Sequence, residues 1–311
     1  MSVDIVCLGE PLAEFNQTRA GEPTYLFGHG GDTSNAAIAA ARSGARVAYV
    51  TALGDDTFGH SFLDLWRAEG IHTDAVKIDP TAHTGVYFVT HGPEGHAFSY
   101  LRAGSAASRY QPADLPRDLI AQAKLLHVSG ISQAISASAA DAVFEAIGHA
   151  KAAGVLVSYD TNLRLRLWPL ARARAVSGAG IAMADIALPG LDDARHLTGL
   201  EDPDAIADHY LAAGCRIVAM TLGREGALVA TGSERQRVPS IEVAAVDATG
   251  AGDCFDGAFL AEYLALGDPF AAARYATVAA ALSTTGYGGV APLPHRAAVL
   301  ARLAAGDRPA R

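Results

Sequence analysis

The sequence has little cysteine, no block of basic residues and no long apolar run. Its three cysteines, Cys7, Cys215 and Cys254, lie far apart and form no CxxC pair, which argues against a disulfide framework and a zinc site. Lys and Arg number 24 against 33 Asp and Glu, a net charge of −9, so binding to nucleic acid or to a membrane surface is not expected. No apolar run approaches the roughly 20 residues that cross a bilayer, and no export signal is recognisable. We therefore expect a globular protein of the cytoplasm.

Short apolar runs alternate with helical patterns along most of the 311 residues. Residues 3–8 predict a first strand, the Ala-rich stretch before Gly44 predicts a helix, and residues 46–52 predict a second strand. The alternation continues to Thr221, and the chain is helical again after Gly250. This order predicts an α/β fold with mostly parallel strands flanked by helices, in one domain that spans residues 1–311.

Two stretches, 13–27 and 84–102, interrupt this alternation. The second predicts a β-hairpin around the turn His91-Gly92-Pro93-Glu94-Gly95. Four alternating residues predict one apolar face on that hairpin: Val86, Phe88, Phe98 and Tyr100. An isolated ribbon cannot bury such a face, so we expect a homodimer in which two such ribbons pair.

The strongest candidate for chemistry is the run Asp247-Ala248-Thr249-Gly250-Ala251-Gly252-Asp253, which leads into a helix. Free N–H groups of Gly250, Ala251 and Gly252 at a helix N-terminus favour a phosphate group. A carboxylate at Asp253 would repel phosphate, unless it takes a proton from a hydroxyl that attacks the phosphoryl group. The alternative is that Asp253 caps the helix and the glycines form a tight turn. The run alone leaves both interpretations open.

Motifs of other enzyme classes are incomplete or absent. The segment Gly54–Ser61 has the glycine spacing of a P-loop, but His60 stands where lysine is required. No GxGxxG follows the first strand and no GxSxG is present, which removes support for a dinucleotide oxidoreductase and for a serine hydrolase. Cys254 has no evident histidine partner, so we expect a small buried residue there and not a nucleophile.

A second glycine-rich segment, Gly30-Gly31-Asp32-Thr33-Ser34-Asn35, also begins a helix. The two glycines allow backbone to approach a polyhydroxylated ligand, and Asn35 can donate and accept hydrogen bonds. A glycine turn with Thr33 or Ser34 as the helix cap is the alternative. This segment, together with Gly54-Asp55-Asp56-x-x-Gly59 and the run 247–253, resembles the two signatures of the ribokinase-like (PfkB) carbohydrate kinases. Residues 221–227 are similar to that family's strand and turn beside the nucleotide phosphates.

The resemblance implies a Rossmann-type core with a small β-stranded lid, formed by about residues 12–28 and 84–103. It implies Mg-ATP as the donor and Asp253 as the base. Gly250, Ala251 and Gly252 would bind the transferring phosphoryl group, with Thr221, Gly223, Gly226, Gly250 and Gly252 holding the nucleotide. Gly30, Gly31 and Asn35 would bind the sugar, and a monovalent cation such as K⁺ would lie near Asp247.

The chain departs from the family at the metal motif. Gly190 stands where asparagine is usual in an Asn-x-x-Glu pattern, and Asp193 takes the acidic position. The resemblance therefore implies that Asp193 acts on Mg²⁺, with more water between protein and metal. The alternative is that Asp192 and Asp193 are ordinary acids in the first turn of a helix.

Four segments resemble the branch of 2-keto-3-deoxygluconate kinases: Gly9-Glu10-Pro11-Leu12, Tyr100-x-Arg102-x-Gly104-Ser105-Ala106, residues 126–131, and Asp160-Thr161-Asn162-x-Arg164-x-x-x-Trp168. This implies phosphorylation of the 6-hydroxyl of that sugar acid, with Tyr87 and Tyr100 at the pocket. A guanidinium from Arg102 or Arg164 would grip the carboxylate through two parallel hydrogen bonds.

The sequence leaves alternatives to this interpretation open. Both arginines could instead form surface salt bridges, and Arg166 and Arg172 lie close enough to replace them. A kinase of a neutral sugar, fructose or ribose, and a non-catalytic sugar sensor are the alternative functions. An intact Asp253 argues against the sensor.

Overall fold

A computed structural model describes residues 3–92 and 95–306 of the chain. Within these ranges it contains fourteen strands and eleven α-helices. The strands are β1 Ile5–Leu8, β2 Leu12–Gln17, β3 Tyr25–Gly30, β4 Val47–Val50, β5 Ala52–Gly54, β6 Lys77–Asp79, β7 Gly85–Gly92, β8 Gly95–Leu101, β9 Leu125–Ser129, β10 Leu156–Asp160, β11 Ile186–Leu188, β12 Ile217–Thr221, β13 Ala227–Thr231 and β14 Arg235–Val238. The helices are α1 Asp32–Arg42, α2 Thr57–Ala68, α3 Arg117–Gln122, α4 Gly130–Ala134, α5 Ala137–Ala152, α6 Leu170–Ile181, α7 Leu191–Thr198, α8 Pro203–Ala212, α9 Ala251–Leu266, α10 Pro269–Ser283 and α11 Arg296–Ala304.

Eight strands form the central sheet, in the order β14-β13-β12-β11-β10-β9-β1-β4. The six strands from β12 to β4 pair in parallel, and β13 and β14 add an antiparallel edge. Parallel neighbours require crossover connections, and the helical stretches between the strands supply them. The α/β architecture expected from the alternation of strands and helices is confirmed.

Both faces of the central sheet are buried, because side chains along each strand alternate between two apolar cores. Ile5 and Cys7 belong to the core that includes residues of α1, α2 and α9–α11. Val6 and Leu8 belong to the core on the other face, with residues of α3 and α5–α8. Helices thus cover both sides, and the carboxyl ends of the parallel strands are the open edge.

A second sheet, in the order β3-β2-β7-β8, forms the lid. Its strands come from the two stretches that interrupt the helical pattern, and β7 and β8 form the predicted hairpin. Pro93 and Glu94 of the predicted turn lie outside the described residues.

The hairpin register corrects the single apolar face predicted for this ribbon. Tyr87 lies opposite Tyr100, and Val86 lies opposite Leu101. Because directly paired residues share a face, Phe98 and Tyr100 lie on the face opposite to Val86 and Phe88. Each face of the hairpin therefore carries part of the apolar set. The alternation predicted within each strand is correct, but the turn between the strands sets which faces match.

Two further expectations differ from the structure. The predicted strand over residues 46–52 is divided into β4, in the central sheet, and β5, which pairs with β6 in a separate two-stranded sheet. The antiparallel pair β13 and β14 was not predicted. Across the described part of the chain, the helices are all too short or too polar to cross a membrane.

Candidate active site

A cavity of about 670 Å³ lies between the carboxyl ends of the central strands and the lid. Its floor comes from segments that follow β1, β10, β11 and β12, together with the beginnings of α1 and α9. Its opposite wall comes from the lid, through Leu12, Tyr87, Phe98, Tyr100 and Arg102. In open α/β sheets, the carboxyl edge of the parallel strands is the usual position of a ligand site.

Asp253 lies in the first turn of α9 and lines the floor of the cavity. Its Oδ2 accepts a hydrogen bond of 2.8 Å from Nδ2 of Asn35 in α1. The two helices can approach because of Gly257: a Cβ at that position would lie 2.1 Å from the carbonyl oxygen of Ala36. Two segments that are 218 residues apart in sequence are thus joined at the floor of the cavity.

Burial raises the pKa of Asp253 to about 7, and the nearby Asp32 carboxylate adds to this rise. The Asn35 hydrogen bond and the charge of Arg164 oppose it. A carboxylate with a pKa near neutrality is a much stronger base than an ordinary aspartate, while a large fraction still remains deprotonated at pH 7. Asp253 is therefore electrostatically suited to accept a proton from a hydroxyl group.

Two further acids, Asp160 and Asp256, form a buried pair beside Asp253. Burial raises the pKa of both well above the ordinary value, and nearby carboxylates, Asp253 among them, add to the rise. Buried acids this close together favour the protonated form. Asp160 Oδ1 accepts the N–H of Asn162, whose Nδ2 donates to Asp32 Oδ2 at 3.1 Å. Asn162 therefore joins Asp160 to Asp32 on the floor of the cavity.

The N-terminus of α9 lies at the cavity as the predicted anion site requires, but one of its three N–H groups is not free. Gly250 caps the helix in the left-handed conformation at φ 74°, and a Cβ at Gly252 would meet open space. The N–H of Ala251, expected to be free, donates instead to the carbonyl of Ala248 at 3.2 Å. The N–H groups of Gly250 and Gly252 have no partner within the described ranges, so two donors and the helix dipole are available for an anion.

Asp247 stabilises the loop before α9. Its Oδ1 accepts from the backbone and the hydroxyl of Thr249, and its Oδ2 accepts from the N–H of Gly288. Asp247 lies outside the lining of the cavity. Gly30, Ala251, Gly223 and Gly226 also lie outside it, whereas Thr221, Gly31 and Asn35 line it.

Asp193, in the first turn of α7, lines the cavity on the side of Thr221. Its Oδ2 accepts the N–H of Leu163 at 2.9 Å, and burial raises its pKa while the charge of Arg164 opposes the rise. Among residues 3–92 and 95–306, no three His, Cys, Asp or Glu side chains are arranged to hold a metal ion. A single carboxylate fits Mg²⁺ that takes its other ligands from water and phosphate.

The lid wall holds the predicted aromatic and basic residues. Tyr87 donates to a carboxylate oxygen of Glu14 and stacks on Tyr100 with 5.9 Å between ring centroids. Arg102 lies 5.6 Å from the Tyr100 centroid, and its Nε donates to Oε2 of the buried Glu10 at 2.8 Å. One edge of the guanidinium is therefore already occupied, which limits the two-bond grip expected of Arg102.

The other arginines near the cavity are held more loosely. Arg164 donates to its own neighbour, the Leu163 carbonyl, and its Nη1 lies 3.9 Å from Asp193 Oδ2. Arg166 donates to the Phe98 carbonyl at 2.8 Å, which links the loop after β10 to the lid, and it lines the cavity. Arg172 does not line the cavity.

Sequence reasoning missed several polar residues of the cavity. Glu10, Asp160 and Asn162 lie within motifs that carried the family resemblance, but no role was assigned to them. Asp32 directly follows the predicted Gly31, and Asp256 lies three positions after the predicted Asp253. The signal that could have identified them is position: each is a polar residue at the carboxyl end of a strand or in the first turns of a helix at the site.

Comparison with known proteins gives the family. Residues 3–296 match the model of the pfkB family carbohydrate kinases. A 2-dehydro-3-deoxygluconokinase from Thermoproteus tenax is 36% identical over 289 residues, which cover 90% of this chain and 88% of that protein. Fructokinase-2 from Solanum habrochaites is 34% identical over 319 residues, covering 97% and 96%. Similarity of nearly the same degree thus extends to kinases of two different sugars.

Solved structures agree. A PfkB protein from Polaromonas sp. JS666 superposes with a TM-score of 0.87 at 32% identity, over 96% of this chain and 100% of that one. A putative ribokinase II from E. coli, solved in complex with ATP and Mg²⁺, superposes with a TM-score of 0.91 at 24% identity, over 97% and 99%, and supports the ribokinase-like fold. Fold, site and sequence lead to one conclusion: the chain belongs to the pfkB family of carbohydrate kinases.

Proposed function

We propose that this kinase transfers the γ-phosphoryl group of ATP to the 6-hydroxyl of 2-keto-3-deoxygluconate. The observation that carries the proposal is the position of Asp253, a base with a pKa of about 7 that faces the same cavity as the N-terminus of α9 and a group of arginines. A base beside an anion site suits phosphoryl transfer to an alcohol.

In the proposed reaction, the sugar 6-hydroxyl lies against Asp253 and attacks the γ-phosphorus. Its proton moves to the Asp253 carboxylate as the new O–P bond forms, and the bond to the β-phosphate oxygen breaks to release ADP. Asn35 holds the carboxylate in place through its 2.8 Å hydrogen bond. The N–H groups of Gly250 and Gly252 stabilise the negative charge of the phosphoryl oxygens.

ATP and Mg²⁺ fit the residues of this cavity. Thr221, Gly250 and Gly252 would hold the phosphates, with Gly223 and Gly226 in the turn beyond β12 toward the rest of the nucleotide. Asp193 would hold Mg²⁺ through water, and Mg²⁺ supplies charge neutralisation on the phosphates when bound. We also propose a K⁺ site near Asp247, which a comparison of rates in KCl and tetramethylammonium chloride would test.

The sugar acid is preferred over a neutral sugar because of the basic residues in the cavity wall. Arg102, Arg164 and Arg166 all line the cavity. A neutral sugar gives no reason for three guanidinium groups there, whereas a carboxylate binds them through charge-assisted hydrogen bonds. The relatives support this choice only in part, since fructokinases are nearly as similar as the 2-dehydro-3-deoxygluconokinase.

We further propose a homodimer formed through the lid, in the cytoplasm. Leu26 and Leu101 of the lid strands are both 62% exposed, and Phe27 is 41% exposed. By the strand register, Phe27 and Leu101 share one face of the sheet and Leu26 lies on the other. Exposed apolar side chains such as Phe27 and Leu101 on one face favour burial against a second copy. A sedimentation experiment that finds only monomer at micromolar concentration would contradict this proposal.

The function is tested by ADP release with Mg-ATP and a panel of 2-keto-3-deoxygluconate, its galactonate epimer, fructose, ribose and gluconate. We expect turnover of the keto-deoxy acids alone. Turnover of fructose or ribose instead would keep the kinase and reject the sugar acid. Absence of turnover with every sugar would favour a non-catalytic sensor.

A further inference from the structure

Glu10 is a carboxylate in the wall of the cavity that the proposed reaction does not use. It lies two residues beyond the end of β1, at the carboxyl edge of the central sheet, and its side chain is fully buried. A buried carboxylate is costly unless all of its oxygens are hydrogen-bonded. The hydrogen-bond partners of Glu10 must therefore offset the cost of burying its charge.

All of those partners come from the lid side of the molecule. Oε2 accepts from Nε of Arg102 at 2.8 Å and from Nη2 of the same side chain. Oε1 accepts from the hydroxyl of Ser105 at 2.7 Å. A Cβ at Gly85, the first residue of β7, would lie 2.9 Å from the same oxygen. Glu10 thus links the end of a core strand to the segment that follows the lid hairpin, and it lies close to the first residue of β7.

This contact fixes the direction of the Arg102 guanidinium. A guanidinium has five N–H donors, and Glu10 uses the edge formed by Nε and Nη2. Nη1 has no hydrogen-bond partner among the residues that the structure describes. The Tyr100 ring packs on the guanidinium at 5.6 Å. The end formed by Nη1 and Nη2 remains available to a ligand in the cavity.

Glu10 also cancels the charge that makes Arg102 attractive to an anion. The two side chains form an ion pair with 0% and 11% exposure, where solvent screens their interaction weakly. A carboxylate that binds Nη1 and Nη2 therefore meets a second negative charge behind the guanidinium. A neutral sugar is not affected by that charge.

We propose that Glu10 is a positioning residue that directs Arg102 toward the substrate and, through its charge, sets how strongly the site prefers a sugar acid to a neutral sugar. The proposal rests on the proposed function, because it takes the sugar carboxylate as the partner of Arg102. It separates two effects of one side chain: the hydrogen bonds orient the guanidinium, and the charge weakens its grip.

Two substitutions distinguish these effects. Glu10→Gln keeps an oxygen that can accept from Arg102 but removes the charge, and Glu10→Ala removes both. Calorimetry gives the Kd of 2-keto-3-deoxygluconate and of fructose without requiring turnover. We expect Glu10→Gln to bind the sugar acid about ten- to fiftyfold more tightly than wild type, which is the effect of one charge at roughly 7 Å and an effective dielectric of about 20–40. Fructose binding should change less than about twofold.

Glu10→Ala should bind the sugar acid more weakly than Glu10→Gln, because Arg102 is no longer held. Equal affinities in the two variants would overturn the positioning role, and a sugar-acid affinity in Glu10→Gln no tighter than wild type would overturn the charge role. Glu145→Gln is the matched control, since Glu145 pairs with Arg117 on the exposed surface and lies outside the cavity lining. It should leave both affinities unchanged.

The outcome also separates this inference from the proposed function. If wild type phosphorylates fructose and not the sugar acid, the proposed function fails, and the inference survives only if Glu10→Gln gains affinity for the acid. If Glu10→Gln does not fold, Ser105→Ala loosens the same carboxylate while keeping its charge. That variant should weaken acid binding and leave fructose unchanged, and the opposite result overturns the inference.

Discussion

The floor of the cavity carries a group of acidic side chains, whereas the lid side carries arginines that are hydrogen-bonded to acceptors. On the floor, Asp32, Asp160, Asp253 and Asp256 lie together, and side-chain amide groups, not cations, donate hydrogen bonds to Asp253 and to one oxygen of Asp32. At the lid, Arg102 is paired with Glu10, and Arg166, in the loop after β10, donates to the carbonyl of Phe98 in the lid. Burial keeps the pKa values of Asp160, Asp253 and Asp256 high, which suits proton transfer. Paired arginines keep a fixed direction, which suits recognition. We therefore expect substitutions on the floor to affect kcat and substitutions on the lid to affect KM.

The largest effect should come from Asp253→Asn. The amide keeps the size of the side chain but cannot accept the proton, so kcat should fall by about 10²–10⁴-fold while the KM for ATP stays close to wild type. Steady-state kinetics with 2-keto-3-deoxygluconate measures both. A variant with kcat within tenfold of wild type would remove Asp253 from the role of base.

The next largest effect should come from the helix crossing that places Asn35 beside Asp253. In Gly257→Ala, the new Cβ would overlap the Ala36 carbonyl, so α1 and α9 must separate. We expect a loss of about 1–3 kcal/mol in the free energy of unfolding together with a lower kcat. Denaturant titration measures the first, and ADP release measures the second.

Gly148→Ala is the control for that variant. Gly148 lies within α5, and no atom lies within 4 Å of the position of its Cβ. Replacing a helical glycine in open space with alanine should stabilise the protein by about 0.5–1 kcal/mol and leave kcat unchanged. Equal stability changes in the two variants would show that helix propensity, and not the crossing, explains the result.

The pH dependence of kcat/KM should show a smaller effect, and its direction tests the role of Asp253 on the floor. Since the base acts only when deprotonated, kcat/KM should fall tenfold per pH unit below the apparent pKa of Asp253, which is about 7. The Asn35 hydrogen bond lowers this pKa. Asn35→Ala should therefore raise it and move the acidic limb to higher pH. A limb that stays in place or moves to lower pH contradicts the assignment.

The smallest effect should come from Arg166, which joins the loop after β10 to the lid. Arg166→Ala removes one guanidinium from the cavity and one link to Phe98. We expect the KM for the sugar acid to rise about tenfold, the value of one hydrogen bond to a charged group, with kcat changed little. Arg172→Ala, outside the cavity lining, is the matched control and should match wild type. A fall in kcat as large as the rise in KM would contradict the prediction that Arg166 acts on sugar binding and not on the chemical step.

Much of the fold and part of the site were predictable from sequence. The alternation of apolar runs and helical stretches predicted the parallel sheet, and the run 247–253 predicted a helix N-terminus with Asp253 in its first turn. The faces of the hairpin were predicted wrongly, because the pairing of Tyr87 with Tyr100 depends on the length of the turn. The edge strands β13 and β14 were missed, since short strands in a turn-rich stretch carry a weak periodic signal.

Sequence by itself determined which side chains are present and which local structures they form. It placed an acid in the first turn of α9, a glycine at its cap, and arginines near the ends of β8 and β10. Only the tertiary structure decided the partners: Asn35 for Asp253, Glu10 for Arg102, and the acid pair of Asp160 and Asp256. These contacts join residues about 90 to 220 positions apart, and local periodicity carries no information over such separations. The partners set the pKa of the base and the direction of the guanidinium, because charge and hydrogen bonding act through distance in space and not along the chain.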